Sequence, residues 1–427
     1  MLKKWMTGVA ALATVCAAGT TANAAERERI TFSKDVMPII QENCVRCHRS
    51  GGDNISGMVA PMSLMTYQEV RPWAKSIAKA VATKKMPPWF ATEASHGVFS
   101  NERGLTPEEI ETIVSWVQSG VVRGNPSDMP EPVTFESDGG WLTGVPDLIV
   151  RMPEAYFVED DVEDLYQSFT TAPISRDLIP KNTWLKAIEW RGDSEVVHHI
   201  VGSAAVEGEM NENGLPKRYS LGSIAPGEEG TLFPEGHGIM LPVDSKIHFN
   251  MHYHKEAGPG TGRMDQSMVG FQFWDEEKDP EIIHPVSRNG ISHRWFEIPP
   301  GVPSWEVGAS KTFTVDTNIM SLHPHMHLRG KDAKYIAYYP DGTQETLVTV
   351  PNFDFNWQLD YFYAEPKQVP AGTRVEFTVH YDNSADNEYN PDHTIPMSWG
   401  GPTTSEMMIG YISYTNTEPV STKDSTD

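Results

Sequence analysis

Cysteine is scarce in this chain of 427 residues, which contains only three. Cys16 lies in an apolar stretch near the start, so two cysteines remain beyond it, Cys44 and Cys47. This shortage excludes a disulfide framework, and the fold must therefore depend on its hydrophobic core. It also argues against a blue-copper site, which needs a cysteine thiolate.

The chain also lacks an apolar run of the roughly 20 residues that a transmembrane helix needs. Two early lysines, a short apolar stretch over 8–18 and the small residues Ala22-Asn23-Ala24 predict a secretory leader over residues 1–24. Cys16 leaves open a lipoprotein signal, although Val15 before it is large for that motif. We therefore expect a periplasmic or secreted protein with no membrane span.

Positive charge is in deficit, with 34 lysines and arginines against 58 acidic residues and a formal net charge of −24. Such a surface repels nucleic acid, so we expect no nucleic-acid partner. It suits a basic, exported redox partner, although solvation alone would also account for the charge.

The two cysteines belong to Cys44-Val45-Arg46-Cys47-His48, a C-x-x-C-H haem-attachment motif. Cys44 and Cys47 are predicted to form thioether links to haem c, and His48 to bind one face of the iron. The motif occurs once, which disfavours a dihaem peroxidase. The chain is therefore predicted to be a redox protein.

Helical patterns surround this motif. Phe32 to Cys44 and Trp73 to Ala82 each suit a helix, and a third helix begins after Thr106, which forms a capping box with Glu109. Gly120 ends it. The segment between 25 and 122 is therefore predicted to be a small all-α domain.

Lys85-Met86-Pro87-Pro88-Trp89 lies between the second and third of these helices. A first helix with C-x-x-C-H, a Met-Pro loop and a closing helix together resemble a class I cytochrome c. The resemblance implies that Met86 is the second axial ligand, whose thioether favours reduced iron. The alternatives are that Met86 belongs to the core and that Met58, Met62 or Met65 binds the iron, or that no methionine does.

The composition changes after this domain. Residues 123–145 are rich in Gly, Pro and Asn and predict a linker. From Asp147 onward, short alternating runs are separated by turn residues, which is typical of antiparallel sandwiches. The length predicts two all-β domains, 146–285 and 286–420, with a tail at 421–427.

Histidines cluster in these β regions. Within a strand over Lys246 to His254, Ile247, Phe249, Met251 and Tyr253 would point to one face, and His248, Asn250, His252 and His254 to the other. His323, His325 and His327 alternate in the same way. His198 and His199 are adjacent, so binding one metal would need a bulge or a strand end. Clustered imidazoles beside thioethers predict copper.

Four pieces then carry a family resemblance: His198-His199, Met251-His252-Tyr253, the run from His325 to Lys331, and Glu406-Met407-Met408. In this order they resemble the copper type II, ascorbate-dependent monooxygenases, which include the dopamine β- and peptide-amidating hydroxylases. The resemblance covers roughly residues 180–420. It implies two jelly-roll-like domains of eight strands, each holding one copper ion across a solvent cleft.

The same resemblance implies the ligands and the chemistry. His198, His199 and His252 would bind an electron-storing copper, and His325, His327 and Met407 an oxygen-activating copper, with Met408 as the competing thioether. Tyr411 matches an active-site tyrosine. His323, which is predicted to be catalytic together with Tyr411, occupies the position of an arginine that binds a substrate carboxylate in the peptide-amidating branch. This difference argues against a C-terminal glycine substrate.

The sequence therefore predicts an exported dicopper monooxygenase that hydroxylates a C–H bond of a small organic substrate with O2. The haem would relay electrons from an exported partner, in place of ascorbate or beside it. The alternative is a copper-binding electron-transfer or copper-handling protein without oxygenase activity. Flexible His/Met tracts are typical of copper handling, whereas these histidines lie on predicted strands.

Overall fold

A computed structural model describes residues 29–50, 60–134, 140–225, 228–275, 282–416 and 418–421. The predicted leader at 1–24, Met58 and most of the predicted tail lie outside these residues. Among the helices of the described part, none combines the length and the apolar character needed to cross a membrane.

The N-terminal region is helical, as predicted. Its elements are a π-type turn (Phe32–Val36), α1 (Met37–Asn43), α2 (Tyr67–Val70), a 3-10 turn (Arg71–Trp73), α3 (Ala74–Ala82), a 3-10 turn (Glu93–Ser95), α4 (Pro107–Gln118) and a 3-10 turn (Pro126–Asp128). The capping box is confirmed: Glu109 N donates to Thr106 Oγ1 over 3.2 Å, and Thr106 N donates to the Glu109 carboxylate over 2.8 Å. Residues 29–122 are called the helical domain below.

The remainder consists of strands that pair antiparallel, as predicted, except for one parallel pair among the described strands. They are β1 (Leu148–Arg151), β2 (Tyr156–Val158), β3 (Asp164–Thr170), β4 (Thr183–Arg191), β5 (Val197–Ala205), β6 (Tyr219–Ile224), β7 (Thr231–Leu232), β8 (His237–Leu241), β9 (Lys246–His254), β10 (Arg263–Asp265), β11 (Met268–Phe273) and β12 (Ile282–Pro285). They continue as β13 (Ser287–Ser292), β14 (Glu297–Ile298), β15 (Trp305–Thr312), β16 (Thr317–His325), β17 (Gly330–Tyr338), β18 (Gln344–Val350), β19 (Tyr361–Val369), β20 (Arg374–Tyr381), β21 (Met397–Ser398), β22 (Ile409–Thr415) and β23 (Val420–Ser421).

These strands form two units that meet at Val286. The first unit contains sheet A, in the order β1-β11-β4-β8-β12-β23 with β7 beside β4, and sheet B, β3-β9-β5-β6. The second unit contains sheet C, β13-β22-β16-β19, and sheet D, β15-β20-β17-β18. Strand β12 pairs with β8 in parallel, and β23 brings the end of the chain back to the first unit.

The alternating strand over Lys246–His254 is confirmed as β9. Its apolar residues Ile247, Phe249, Met251 and Tyr253 are fully buried in the core of the first unit. Because side chains alternate across a sheet, the histidines of β9 lie on the outer face of sheet B. A comparable core fills the second unit between sheets C and D.

The helical domain is joined to the second unit by backbone and aromatic contacts. Ser100 N donates to Phe362 O over 2.8 Å, and Thr92 N donates to Thr349 O over 3.0 Å. Next to them, the ring centroids of Trp89 and Tyr361 are 5.0 Å apart. The segment that follows Met86 is therefore fixed against the edge strand β19.

Candidate metal and haem centres

The haem-attachment motif lies at the end of α1. His48 N donates to Cys44 O over 2.9 Å, which brings the histidine back over the first cysteine. His48 Nδ1 lies 3.3 Å from Met62 O. A carbonyl can only accept, so Nδ1 carries the proton and Nε2 is left with a lone pair for the iron. Burial lowers the pKa of His48, which favours this neutral form.

Cys44 and Met86 are the next two predicted haem-binding residues. Burial, with Cys47 beside it, raises the pKa of Cys44 to about 12, which favours the neutral thiol. Met86 is half-buried, whereas Met62 and Met65 pack against the hydrophobic core of the helical domain. This packing favours Met86 over those two as the axial ligand, and its role stays a prediction.

The first histidine group lies on neighbouring strands of sheet B. Val197 pairs with Tyr253 and His199 with His252, with a register shift between Val197 and His199. His198 is thus the extra residue of a β-bulge, the irregularity that two adjacent histidines needed. His199 Nδ1 lies 3.3 Å from His198 Nδ1 and 3.2 Å from His252 Nδ1.

This convergence fits a metal ion better than hydrogen bonding does. His252 Nε2 contacts the Asp164 carboxylate, so Nε2 carries the proton and His252 Nδ1 can only accept. His199 Nδ1 can donate a hydrogen bond to one of its two neighbouring Nδ1 atoms, but not to both. A cation at the centre would accept all three lone pairs. Burial first, and then the neighbouring imidazoles, lower the pKa of His198 and His199 well below the usual value, which keeps both neutral.

Asp164, in strand β3, orients this group. One carboxylate oxygen contacts His252, and the other accepts hydrogen bonds from Thr403 N (3.2 Å) and Thr403 Oγ1 (2.9 Å). Burial raises the pKa of Asp164, but the contacts with His252 and Thr403 outweigh it and set the pKa at about 2. Tyr166 completes the support by stacking on the His252 ring at 4.2 Å.

The second histidine group lies at the end of β16, where His325 is the last strand residue. His325 Nδ1 donates to Gln358 Oε1 over 2.6 Å, and His327 Nδ1 donates to Ser405 O over 3.1 Å. Both rings therefore present Nε2, and His327 Nε2 is buried without a hydrogen-bond partner among the described residues. Burial is the main cause that lowers the pKa of His325 to about 4 and that of His327 to about 3.

The two candidate thioethers differ in their surroundings. Met408 is fully buried in the core of the second unit. Met407 is half-buried, and it follows Glu406, whose carboxylate accepts from the backbone N of His327 over 2.9 Å. Since a core side chain points away from the histidines on the outer face, this arrangement favours Met407, whose binding role stays a prediction.

His323 and Tyr411 are neighbours, but they belong to a buried charged cluster. They pair across β16 and β22, with ring centroids 5.7 Å apart. His323 Nδ1 lies 2.9 Å from Glu228 Oε1. Because that nitrogen faces a carboxylate of the first unit, His323 is placed to join the two units, and its predicted catalytic role stays a prediction.

Arg288 completes this cluster. Its guanidinium lies 3.1 Å from the Asp360 carboxylate and 5.3 Å from the centre of the Tyr411 ring. Burial, with Asp360 beside it, raises the pKa of Glu228. Burial opposes ionisation of Asp360 as well, but Arg288 lowers its pKa. The cluster therefore has a charged pair, Arg288 and Asp360, next to a carboxyl that tends to stay protonated.

The two histidine groups adjoin each other, which differs from the expected separation by a solvent cleft. The ring centroids of His199 and His325 are 6.4 Å apart. Phe355 stacks on His198 at 4.6 Å, and its centroid is 6.1 Å from that of His327. The difference arises because the two units are in contact here, with β6 of sheet B next to β13 of sheet C. Among the flanking histidines, His248 contacts Thr170 over 2.6 Å, and His254 is exposed.

A cavity of about 1170 Å³ opens beside this cluster. Its walls come from the loop after α3 in the helical domain, from the segment 351–356 and from residues 386–389. His254 and Phe355 are among its lining residues. Phe355 thus contacts both the cavity and the first histidine group, through its stacking on His198.

The comparisons with known proteins bear on the helical domain. Residues 37–120 match the family model described as cytochrome c. This part of the chain is a cytochrome c domain. The C-x-x-C-H motif therefore implies haem c and electron transfer. No curated protein matches the chain.

Solved structures add no argument for the β units. The chain is similar to PBCV-1 VP54, fitted into a reconstruction of the virophage Sputnik, with 10% identity, a TM-score of 0.23, and coverage of 63% of this chain and 92% of that chain. For the major capsid protein P2 from bacteriophage PM2 these values are 9%, 0.24, 64% and 98%. Such TM-scores do not indicate a shared fold, and the resemblance to copper monooxygenases stays a prediction.

Several residues of the site carried no signal in the sequence. Asp164, Gln358 and Phe355 reach the histidines from other elements, and Asp164 is 88 positions from His252. Glu228 and Arg288 were also missed. A buried arginine in a strand that otherwise has little charge was the one available hint, because such a residue needs an acidic partner.

Proposed function

We propose that the protein is an exported copper monooxygenase whose cytochrome c domain supplies electrons to a histidine-bound copper pair. In the overall reaction, one C–H bond, O2, two electrons and two protons become one C–OH group and water. His198, His199 and His252 would hold one copper ion, and His325, His327 and Met407 the other. When bound, copper supplies one-electron redox chemistry and an open position for O2.

One observation carries this proposal: five predicted ligand histidines from three distant segments lie together, and the ligand atoms of His198, His199 and His252 lie within 4.8 Å of one another. Three of the rings donate a hydrogen bond from the nitrogen that is not proposed to bind metal: His252 to Asp164, His325 to Gln358 and His327 to the Ser405 carbonyl. Metal-binding histidines typically have such partners. A copper-handling protein with flexible ligand tracts would not require its histidines to be held in this fixed arrangement.

The strand order supports the fold that the resemblance implies. The eight main strands are β1, β3, β4, β5, β6, β8, β9 and β11 in the first unit, and β13, β15, β16, β17, β18, β19, β20 and β22 in the second. When each set is numbered 1 to 8 along the chain, both units have the order 1-8-3-6 in one sheet and 2-7-4-5 in the other. This is the order of a jelly roll made of eight strands. Both proposed copper sites would then lie on jelly-roll sheets.

The position of the cytochrome domain supports the electron relay. Trp89, three residues after the proposed axial ligand Met86, packs on Tyr361. Tyr361 is at the start of β19, and Gln358, which orients His325, lies three residues before it. Electrons from the haem would therefore enter on the side of the second histidine group, with an exported redox protein or ascorbate as the donor.

The cavity supports a small organic substrate. It is lined by aromatic rings, among them Trp89, Phe353 and Phe355, and by several carboxylates. His323 is buried against Glu228 and offers no positive group for a substrate carboxylate. The proposed substrate therefore enters from the cavity past Phe355 and is not a peptide with a C-terminal glycine.

Oxygen uptake tests the function. Copper-loaded full-length protein, supplied with ascorbate, is screened under 18O2 against small exported metabolites. We expect one 18O atom in the hydroxylated product and none after copper is removed by a chelator. If tightly bound copper is present and no substrate or O2 is consumed, the copper-binding electron-transfer alternative replaces the oxygenase.

The relay has its own test. The haem of the copper-loaded protein is reduced without oxygen and then mixed with O2 in a stopped-flow instrument. We expect haem oxidation to follow copper oxidation, and we expect the double variant Cys44→Ala and Cys47→Ala to lose turnover with a protein donor while it keeps turnover with ascorbate. Equal turnover of both forms with a protein donor would remove the relay.

A further inference from the structure

Besides the proposed copper ligands, another group of metal-binding side chains lies at the contact between the two β units. It consists of Glu228 from the first unit and of His323 and Asp360 from the second, and their ligand atoms all lie within 4.8 Å of one another. The exposed fractions of these residues are 5%, 2% and 7%. Two carboxyl groups and an imidazole therefore converge in a nearly closed space.

Two atoms of this group are not satisfied by hydrogen bonds. Glu228 Oε1 and His323 Nδ1 lie 2.9 Å apart, yet both are buried without a hydrogen-bond partner among the described residues. Their contact thus lacks the direction that a hydrogen bond needs. Two ligands that each lie about 2.1 Å from one ion, at a right angle, are about 3 Å apart. The contact therefore has the length expected of two neighbouring ligands of one metal ion.

The charges of the cluster also favour a cation. Arg288 Nη1 lies 3.1 Å from Asp360 Oδ1, whereas Arg288 Nη2 is 3.7 Å from Glu228 Oε1. Arg288 therefore balances Asp360, and in the part of the chain that the structure describes no guanidinium or ammonium group is within hydrogen-bond distance of Glu228. A carboxylate has about four lone-pair sites, so Asp360 can keep Arg288 and still bind an ion. Carboxylates that bind metals are typically held by such hydrogen bonds.

A cavity of about 300 Å³ reaches both carboxyl groups. Besides Glu228 and Asp360, its walls include Ser321 of the second unit and Arg103 of the helical domain. A metal ion held by three protein ligands has open positions, which water in this cavity would fill. The cavity also provides the entry path that a buried metal site needs.

From this geometry we propose that Glu228, His323 and Asp360 form a third metal site, which binds a divalent ion of the manganese or zinc class and joins the two β units. Two oxygens and one nitrogen suit these ions, whereas imidazoles beside a thioether suit copper. Because the ligands come from both units, the ion would be a structural link between them. The proposal does not depend on copper binding or on oxygenase activity.

Electron paramagnetic resonance of added Mn(II) tests the site. The full-length haem protein is loaded with copper and reduced by ascorbate without oxygen, so that Cu(I) and ferrous haem are silent and Mn(II) gives the only metal signal. The sharp signal of free Mn(II) is lost on binding, and its titration measures affinity. We expect one saturable Mn(II) ion per chain. Glu228→Gln and Asp360→Asn should each lower its affinity more than ~100-fold, beyond the loss that removing an orienting partner causes.

Glu229→Gln is the matched control. Glu229 lines the same cavity, but its carboxylate pairs with Arg103 over 3.4 Å, so this variant should keep the affinity for Mn(II). Glu228→Asp preserves the charge and withdraws the carboxyl group, so it should weaken binding if the ion is coordinated. In thermal unfolding, Mn(II) should raise the Tm of the unmodified protein and of Glu229→Gln, but not that of Glu228→Gln.

The outcomes separate this site from the proposed function. Equal Mn(II) affinity in all variants would mean that the ion binds to the acidic surface, and the third site would be wrong. An absence of saturable binding in the unmodified protein would overturn it as well. Copper content is measured on the same samples. A protein that holds no copper but loses Mn(II) in Glu228→Gln would reject the copper monooxygenase and support the third site.

Discussion

The two β units have the same strand order but carry their histidines on opposite sheets. In the first unit the proposed ligands lie on β5 and β9 of sheet B, the fourth and seventh main strands. In the second, His325 ends β16 of sheet C, the third main strand. Strand order alone therefore does not determine where the histidines lie. In each unit they occur on the sheet that faces the other unit.

The two groups also differ in what orients them. The first has a carboxylate, Asp164, behind His252, whereas the second has the neutral oxygens of Gln358 and Ser405. An anion behind a histidine makes the ring a stronger donor and stabilises the higher charge of Cu(II). Neutral oxygens and a thioether favour Cu(I). If both groups bind copper as proposed, the ion at the first site is therefore the stronger electron donor and suited to storing and passing on an electron, and the ion at the second site is suited to binding O2.

Removing the central histidine of a group should reduce copper affinity more than the other substitutions do. His199 Nδ1 lies within 3.3 Å of the Nδ1 atoms of His198 and His252, so His199→Ala removes the central ligand and leaves only two of the three proposed ligands in this group. We expect at least a ~100-fold loss of affinity for one copper ion, more than the loss of an orienting partner causes. Chelator competition measures it. His327→Ala is the matched variant, and it should remove the other ion instead; loss of both ions in either variant would show that the groups do not bind separately.

Substitution of the two methionines should have different effects, one on stability and the other on metal binding. Met408 is fully buried, so Met408→Ala should lower the free energy of unfolding by about 2–5 kcal/mol. Met407→Ala should change stability by less than about 1 kcal/mol, since the side chain is outside the core, and should weaken Cu(I) binding. Urea unfolding and Cu(I) titration measure the two properties. The reverse result would make Met408 the ligand.

Part of the candidate site could be predicted from the sequence. The alternation in β9 and the adjacency of His198 and His199 predicted the strand faces and the bulge, because both are local properties of a strand. The sequence did not predict that the two groups adjoin. That depends on how sheet B packs on sheet C, through contacts such as Thr403 with Asp164, 239 positions apart. Alternation specifies a face, but not what covers it.

Neutralising the orienting carboxylate should have an intermediate effect. In Asp164→Asn the His252 ring keeps a hydrogen-bond acceptor but loses the anion. We expect Cu(II) affinity at the first group to fall about 10- to 100-fold, with Cu(I) affinity less affected. Gln358→Glu is the converse control, which should make the second group favour Cu(II). Copper reduction potentials measure both, and equal shifts in the same direction would refute the assigned difference between the groups.

The contact between the units should give the smallest effect. Thr403→Val removes the hydroxyl that donates to Asp164 over 2.9 Å but keeps the backbone N–H. We expect a loss of about 1 kcal/mol in unfolding free energy, the usual net value of one hydrogen bond. Thr343→Val removes a similar hydroxyl contact, 2.6 Å from Asp341 in an exposed turn of the second unit, and serves as the control. Because the Asp164 carboxylate also contacts His252, only Thr403→Val should in addition weaken copper binding at the first histidine group. Equal copper affinity of the two variants would mean that the Thr403 hydroxyl does not help to position His252.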